Sequence, residues 1–199
     1  MTLLFVVFTG FAFPGLMYGL GRIPGLKDKA DGSLITKNGQ VIGSALIGQN
    51  FSKPEYFHPR PSSAGSNGYD ANNSSGSNLG PTSDKLINGV HKKLPNGKDD
   101  PGNSSGIVDY AKAYRVDNGL APDADVPADA VTGSGSGLDP AISPLNAYIQ
   151  ANRVAKARKM PVDQVKKLID ENTDPRFLGI FGDPSVNVLT LNLALDSAK

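Results

Sequence analysis

An apolar run begins the chain. No charged side chain occurs from Met1 through Gly21, and the run is rich in Phe, Leu and Val. A helix rises about 1.5 Å per residue, so about 20 residues span a hydrocarbon core of about 30 Å. Pro14 is tolerated inside such a helix and favours a kink. The pattern predicts a transmembrane anchor over residues 1–22.

Two other interpretations of this run are weaker. A cleaved signal peptide needs a basic segment before the apolar run and a small-x-small cleavage site. No Lys or Arg precedes the run, and Gly19-Leu20-Gly21 is a poor cleavage site. A buried core helix is disfavoured because the run is hydrophobic on all sides and Arg22 follows it directly.

A short hairpin is the next predicted element, after a polar connector at residues 23–32. The dipeptide Asn38-Gly39 separates two short apolar runs within residues 33–47. Asn-Gly in that setting is the strongest short hairpin signal, because both residues tolerate the positive φ of a type I′ turn. We expect a β-hairpin here.

The stretch 51–81 is rich in Gly, Ser, Asn and Pro, which is typical of a flexible loop. It also contains several aromatic residues, and a pure linker rarely does. We therefore expect the stretch to be ordered and packed. Within it, His58 lies between Phe57 and Pro59, and hydrogen bonding in a packed loop is a better interpretation of His58 than base catalysis.

The remaining segments alternate between helical and extended patterns. Apolar spacing of three and four residues predicts helices, and strict alternation of Leu with smaller residues at 186–195 predicts a strand. The fold class is therefore α+β, with one N-terminal transmembrane helix followed by a small mixed α+β soluble domain at residues 23–199. The predicted helices are 83–94, 107–116, 143–159 (with Asn152 as a candidate break) and 162–172, and a second short strand is predicted at 130–132.

Composition excludes several classes of function. Lys and Arg number 20 against 19 Asp and Glu, a balance that argues against a nucleic-acid partner. The chain has no Cys, which rules out disulfides, thiolate metal sites and a cysteine nucleophile. Two His residues are too few for a multi-His metal site, and we predict no metal ligands.

Residues 133–137, Gly-Ser-Gly-Ser-Gly, are the main candidate for chemistry. Glycines Gly133, Gly135 and Gly137 would let backbone amides approach a phosphate. No Gly-Lys-Ser/Thr follows, so a structural turn is the better interpretation and nucleotide contact the weaker one. Ser134 and Ser136 match a hydrolase elbow only trivially, since every neighbouring position is Ser or Gly.

Six stretches, taken together in their order along the chain, identify a protein family much more specifically than any one of them does. They are GSALIGQ at 43–49 with Phe51, YFHPRPS at 56–62, GSNLGP at 76–81, VTGSGSGLDP at 131–140, RVAKAR at 153–158 and VNVLTLNLALD at 186–196. This set resembles the C-subunit family of the bacterial potassium-transporting Kdp ATPase. The resemblance covers nearly the whole chain from Ser33 onward.

The resemblance implies a non-catalytic accessory and assembly subunit of an ATP-driven potassium importer. Its implied partners are a channel-like potassium-binding subunit and an ATP-hydrolysing subunit, whose ATP affinity the C subunit is said to raise as a catalytic chaperone. No cofactor is expected to bind directly, and ATP would be met only through the complex. The implied location is the bacterial inner membrane, single-pass, with an extracytoplasmic soluble domain. Candidate residues for a partner interface or for ordering the loop are Gln49, Phe51, Tyr56, His58 and Arg60.

Alternatives remain open for sidedness and for function. Arg22, Lys27 and Lys29 follow the apolar run, and the positive-inside rule alone would place the soluble domain in the cytoplasm. A direct ATP-binding subunit using residues 133–137, or an unrelated membrane-anchored serine hydrolase, are the competing functions.

Overall fold

The computed structural model describes residues 1–198, which form two compact units. Unit 1 is Met1–Leu46, and unit 2 begins at Ile47. The division falls after the predicted hairpin, so the hairpin belongs with the apolar helix rather than with the remainder of the chain.

A single apolar helix, Thr2–Leu20, opens unit 1. Its residues are uncharged and exposed, and the helix is long and apolar enough to cross a membrane. A π-helical turn lies just before Pro14, whose ring removes one backbone donor and crowds the preceding turn. The helix consists of α1 (Thr2–Val7), the π-helical turn Phe8–Ala12 and α2 (Phe13–Leu20).

The predicted hairpin is confirmed and completes unit 1. After a short helix α3 (Lys27–Ala30), strands β1 (Leu34–Lys37) and β2 (Gln40–Ser44) pair antiparallel. Asn38 and Gly39 have φ of 53° and 78°, the two positive values that a type I′ turn requires.

The core of unit 2 lies between a small sheet and three helices, which confirms the α+β class. Strands β3 (Ala141–Ile142), β4 (Thr173–Asp174) and β5 (Ser185–Asn187) form an antiparallel sheet in the order β3-β5-β4. The other elements of unit 2 are a 3₁₀ turn (Ala71–Asn73), α4 (Asp84–Asn88), α5 (Ile107–Asp117), α6 (Ala128–Val131), α7 (Pro144–Arg158), α8 (Val162–Glu171) and α9 (Val188–Ser197). The buried cluster comprises Phe57, Ile142, Ala147, Ala151, Val154, Ala155, Val165, Ile169, Val186, Val188, Leu191 and Leu195.

Helix α7 runs as one piece, without a break at Asn152. The Ser143 hydroxyl accepts a hydrogen bond from the Asn146 backbone N–H at 3.2 Å and Pro144 occupies the first turn, as the sequence predicts for a helix start. The helix ends at Arg158, and the C-cap residue Lys159 has a left-handed φ of 56°. Predicted helices α5 and α8 are confirmed to within one residue of their expected ends.

The strand predicted at 186–195 is wrong beyond Asn187. The Asn187 side chain accepts hydrogen bonds from the backbone N–H groups of Leu189 and Thr190, and this cap starts α9. The residues that distinguish a helix from a strand here are Val188, Leu191, Asn192 and Leu195, which are all buried and are spaced as on one face of a helix. The alternating leucines misled the prediction because α9 is apolar on more than one face, so that Leu189, Leu191 and Leu195 are all buried although their spacing is also that of a strand.

Two smaller predictions also fail. The helix expected over 83–94 stops at Asn88, because Gly89 adopts φ 77° and Val90 then pairs with Ser104. The strand expected at 130–132 is instead the end of α6, which follows directly after Pro127.

Candidate functional site

Residues 47–82, here called the wrapped segment, contain all five candidate interface residues. The segment has little regular structure, yet Phe57 and Ala64 are fully buried. This confirms the expectation that the stretch is packed. Side chains from α7, α9 and the loop before β3 hold its backbone in place.

A buried amide from α9 anchors the centre of the wrapped segment. Asn192 is 1% exposed. Its Oδ1 accepts the Phe57 backbone N–H at 2.8 Å, and its Nδ2 donates to the Phe57 carbonyl at 3.0 Å. One side chain thus satisfies both backbone groups of a residue in the core, as a neighbouring strand would.

A second buried amide, from α7, does the same for the next residue. Gln150 is 1% exposed; its Oε1 accepts the His58 backbone N–H at 2.7 Å, and its Nε2 donates to the His58 carbonyl at 3.2 Å. Gln150 Nε2 also donates to Asn146 Oδ1 at 2.8 Å. The backbone at 57–58 is therefore held between two helices.

Arg153 holds the start of the same stretch. Its Nη1 donates to the carbonyls of Pro54 at 2.6 Å and Tyr56 at 2.9 Å, and its Nη2 donates to Gln150 Oε1 at 2.6 Å. Burial lowers the pKa of Arg153, with Asp117 opposing that shift. The guanidinium remains charged at neutral pH, since the ordinary pKa of Arg lies far above neutrality.

The His58 ring is hydrogen-bonded within the wrapped segment. Its Nε2 lies 3.1 Å from the Lys53 carbonyl, which can only accept, so this nitrogen carries the proton. Burial, and then the charge of Arg153, lower the pKa of His58. The imidazole is therefore neutral at pH 7, and its Nε2 is occupied by the hydrogen bond to Lys53.

Tyr56 lies against the C-terminal end of the core. The Arg158 guanidinium lies 4.8 Å from the Tyr56 ring centroid, and its Nη2 donates to Asp196 Oδ1 at 2.8 Å. The Tyr56 hydroxyl donates to the other Asp196 oxygen at 3.3 Å. Arg158 Nε donates to the Glu55 carbonyl at 2.6 Å. The Phe51 ring lies 5.4 Å from that of Tyr56, centroid to centroid.

Arg60 and Tyr69 attach the wrapped segment to the loop before β3. Arg60 Nη1 pairs with Asp139 Oδ2 at 2.9 Å, and its Nε donates to the Thr132 carbonyl at 3.3 Å. The Tyr69 hydroxyl donates to the Arg60 carbonyl at 3.0 Å. Burial, and then Asp139, raise the pKa of Tyr69, so the phenol is a neutral donor. Gly48 is needed beside it, because a Cβ there would lie 2.5 Å from Tyr69 Cε1.

The glycine-rich stretch 133–137 packs against the wrapped segment. A Cβ on Gly137 would lie 2.5 Å from the Ser75 carbonyl, and one on Gly133 would lie 3.1 Å from the Pro61 carbonyl, whereas Gly135 faces open space. The Gly137 N–H donates to Ser134 Oγ at 3.0 Å, and the Ser136 carbonyl accepts the Ser75 N–H at 2.9 Å. These contacts are those of a structural turn.

A cleft of about 510 Å³ brings three of the five candidate residues together. Phe51, His58 and Arg60 line it, whereas Gln49 and Tyr56 do not. Sequence reasoning did not single out the other important lining residues. Tyr110 and Tyr114 lie four residues apart on α5, and this helical spacing could have indicated that they share one face. Nothing in the sequence around Asn146 and Gln150 indicates that they line the cleft.

This arrangement offers hydrogen bonding and charge, and among its described residues no nucleophile lies in contact with a base. Ser134 Oγ lies 3.4 Å from Ser136 Oγ, and the His58 ring bonds elsewhere, to Lys53. Across residues 1–198, no group of three or more acidic, His or Cys side chains is placed to hold a metal ion.

The comparisons with known proteins agree along nearly the whole chain. A family model described as "KdpC: K+-transporting ATPase, c chain" matches residues 1–197. Three relatives, each named "Potassium-transporting ATPase KdpC subunit", are similar to this chain. The relative from Mycobacterium tuberculosis (strain H37Rv) is 52% identical over 98% of this chain and 94% of its own. Those from Beijerinckia indica and Gemmatimonas aurantiaca are 49% and 46% identical over 98% and 99% of this chain, and each match covers 89% of the relative.

These matches confirm the resemblance inferred from the six ordered stretches. The family description and the relatives' names refer to a subunit of a transport complex rather than to an enzyme acting by itself. The chain belongs to the family of C chains of the K⁺-transporting ATPase, and it is a subunit of that complex.

Proposed function

We propose that this chain is an accessory and assembly subunit, which holds a rigid extracytoplasmic domain on the channel-like and ATP-hydrolysing subunits of the transporter. The observation that carries the proposal is the wrapped segment. Two buried amides and two arginines hydrogen-bond to the backbone of an otherwise irregular stretch and hold it in one conformation, although burying polar side chains is itself unfavourable. Such fixing suits a surface that must present one shape to a partner, since a preordered surface loses less entropy on binding.

Assembly is tested by removing the chain from cells that express the other subunits. Potassium uptake at low external potassium should be lost, and the remaining subunits should no longer purify together. A sharper version keeps the chain and replaces exposed residues around the cleft, such as Ser66→Arg, with Lys98→Ala as an exposed control away from it. Normal uptake and normal co-purification without the chain would refute the proposal.

Sidedness can be measured with a single introduced thiol, because the chain has no Cys. Lys98 is exposed, so Lys98→Cys leaves the packing of unit 2 intact. A membrane-impermeant maleimide should label this variant in intact spheroplasts. Labelling that occurs only after the membrane is broken would place the domain in the cytoplasm, as the charges after the helix suggest.

Any effect on ATP affinity is proposed to pass through the complex rather than through contact with nucleotide. The amides of Gly137 and Leu138 bond to serine hydroxyls within the same turn, at 3.0 and 3.1 Å. The test is the KM for ATP of the assembled ATPase carrying Gly135→Ala, a change at the glycine that faces open space. The KM should equal that of the unchanged complex, and a severalfold rise with intact assembly would favour direct binding.

A further inference from the structure

The connection between β4 and β5 carries four exposed large apolar side chains. Residues 176–183, here called the apolar tip loop, lie at the end of the hairpin that pairs Asp174 with Ser185. Clusters of exposed apolar side chains on soluble domains mark interaction sites, whereas single ones do not. The exposed side chains are Phe177 (71%), Leu178 (74%), Ile180 (72%) and Phe181 (62%).

The backbone of this loop is already hydrogen-bonded within itself. Phe177 and Phe181 exchange N–H···O bonds of 2.9 and 3.0 Å. Gly179 N–H donates to the Arg176 carbonyl at 2.9 Å, and Ile180 N–H donates to the Phe177 carbonyl at 3.2 Å. An unsatisfied backbone group is unfavourable in a lipid environment, so internal pairing at these four donors prepares the loop to leave water.

Charge and apolar surface are separated along the loop. Residues 177–182 carry no charge. Arg176 and Asp183 form an ion pair of 2.8 Å at the base, and the Arg176 side chain remains 49% exposed. An apolar tip above a polar base that contains a basic residue separates apolar and basic groups as an interfacial amphipathic helix does.

The size of the tip favours lipid over a protein partner. A stable protein interface buries about 800 Å² on each side and uses about 20–30 residues, whereas the tip offers four side chains on a turn. A bilayer needs no complementary pocket. The apolar helix Thr2–Leu20 also tethers the domain beside a membrane, so a weak second contact acts at high effective concentration.

We propose that the apolar tip loop inserts Phe177, Leu178, Ile180 and Phe181 into the headgroup–acyl boundary of the bilayer in which the chain is anchored. This second membrane contact belongs to the chain itself. It requires no partner subunit and applies to either face of the membrane.

The absence of Trp from the chain gives a direct test. Phe181→Trp in the full chain, reconstituted in phosphatidylcholine–phosphatidylglycerol vesicles, places the only indole at the tip. Its emission should be blue-shifted and strongly quenched by lipids brominated on their acyl chains. Val116→Trp is the matched control, since Val116 is 74% exposed on α5, and its emission should stay red-shifted and unquenched.

A second variant separates insertion from folding. Leu178 has φ 52°, a conformation that Asn adopts readily, so Leu178→Asn with Ile180→Asn removes apolar surface without straining the turn. In the Phe181→Trp background this pair should abolish the blue shift and the quenching while circular dichroism is unchanged. If Phe181→Trp does not fold, Phe177→Trp reports from the paired position.

Equal, unquenched emission from the tip and from Val116→Trp in vesicles would overturn the proposal. Tip emission that is unquenched in vesicles of this chain alone, but shifts in the assembled transporter, would assign the tip to a partner subunit and also overturn it. Because the vesicles contain only this chain, the result does not depend on the proposed role in assembly.

Discussion

Replacing Asn192 with Leu should strongly destabilise unit 2, although Leu has a similar branched shape and is more apolar. Asn192 satisfies the N–H and the carbonyl of Phe57, both buried. Each buried group left without a partner costs about 1–3 kcal/mol, so the variant should lose about 2–6 kcal/mol. That is a large fraction of a typical unfolding free energy of about 5–15 kcal/mol.

The assay is urea unfolding of the full chain in detergent micelles, followed by far-ultraviolet circular dichroism. Asn152→Leu on α7 is the control, since Asn152 is exposed and should shift the unfolding free energy by no more than about 0.5 kcal/mol. Protease cleavage within residues 47–82 should accelerate only in the Asn192 variant. An Asn192→Leu protein as stable as the Asn152 control would refute the view that buried amides hold the wrapped segment.

Three further outcomes follow from the same contacts. Gly137→Ala should cost about 2 kcal/mol or more in urea unfolding, because the residue has φ 67° and its Cβ would meet the Ser75 carbonyl, whereas Gly135→Ala should be nearly neutral; equal effects would contradict this. The pKa of His58 is lower in the folded state than its ordinary value of 6.5, so the unfolded chain takes up a proton first and the free energy of unfolding falls as the pH drops below 6.5. His58→Gln should flatten the dependence of the unfolding free energy on pH in that range, and an unchanged slope would contradict this. Arg158→Lys should lower the free energy of unfolding by about 1–3 kcal/mol, because a compact ammonium cannot replace a planar guanidinium that bonds the Glu55 carbonyl and the Asp196 carboxylate while stacking on the Tyr56 ring. A thermal unfolding midpoint equal to that of the wild type would contradict this.

Local sequence patterns predicted those helices and strands that are determined by residues close together in the sequence. The hairpin follows from Asn38-Gly39, which alone sets the two positive φ values. Helix α7 follows from Ser143-Pro144 as its start. The apolar helix Thr2–Leu20 follows from composition over its length. The family followed from six ordered stretches, and the match over residues 1–197 confirms it.

The candidate site was predicted only in part, because its contacts join residues far apart in sequence. His58 and Arg60, two of the five candidate residues, lie in the packed stretch and line one cleft. Gln150 and Asn192 were missed, since a buried amide in a helix has no signature until its partner backbone is placed beside it. These two residues lie 92 and 135 positions from the residues that they hold.

The sequence by itself determined the apolar N-terminal helix, the hairpin, helices α5, α7 and α8, the α+β class and the family, because periodicity, turn residues and motif order are properties of neighbouring residues. Only the tertiary structure decided that residues 188–197 form a helix and not a strand, since burial of Val188, Leu191 and Leu195 on one side requires the sheet and α8 to be in place. It also decided that the glycines at 133 and 137 serve packing, because close approach depends on the backbone of residues 61–75. The exposed position of Phe177 and Phe181 is equally a tertiary result, as nothing in an apolar stretch of sequence distinguishes a core from a surface.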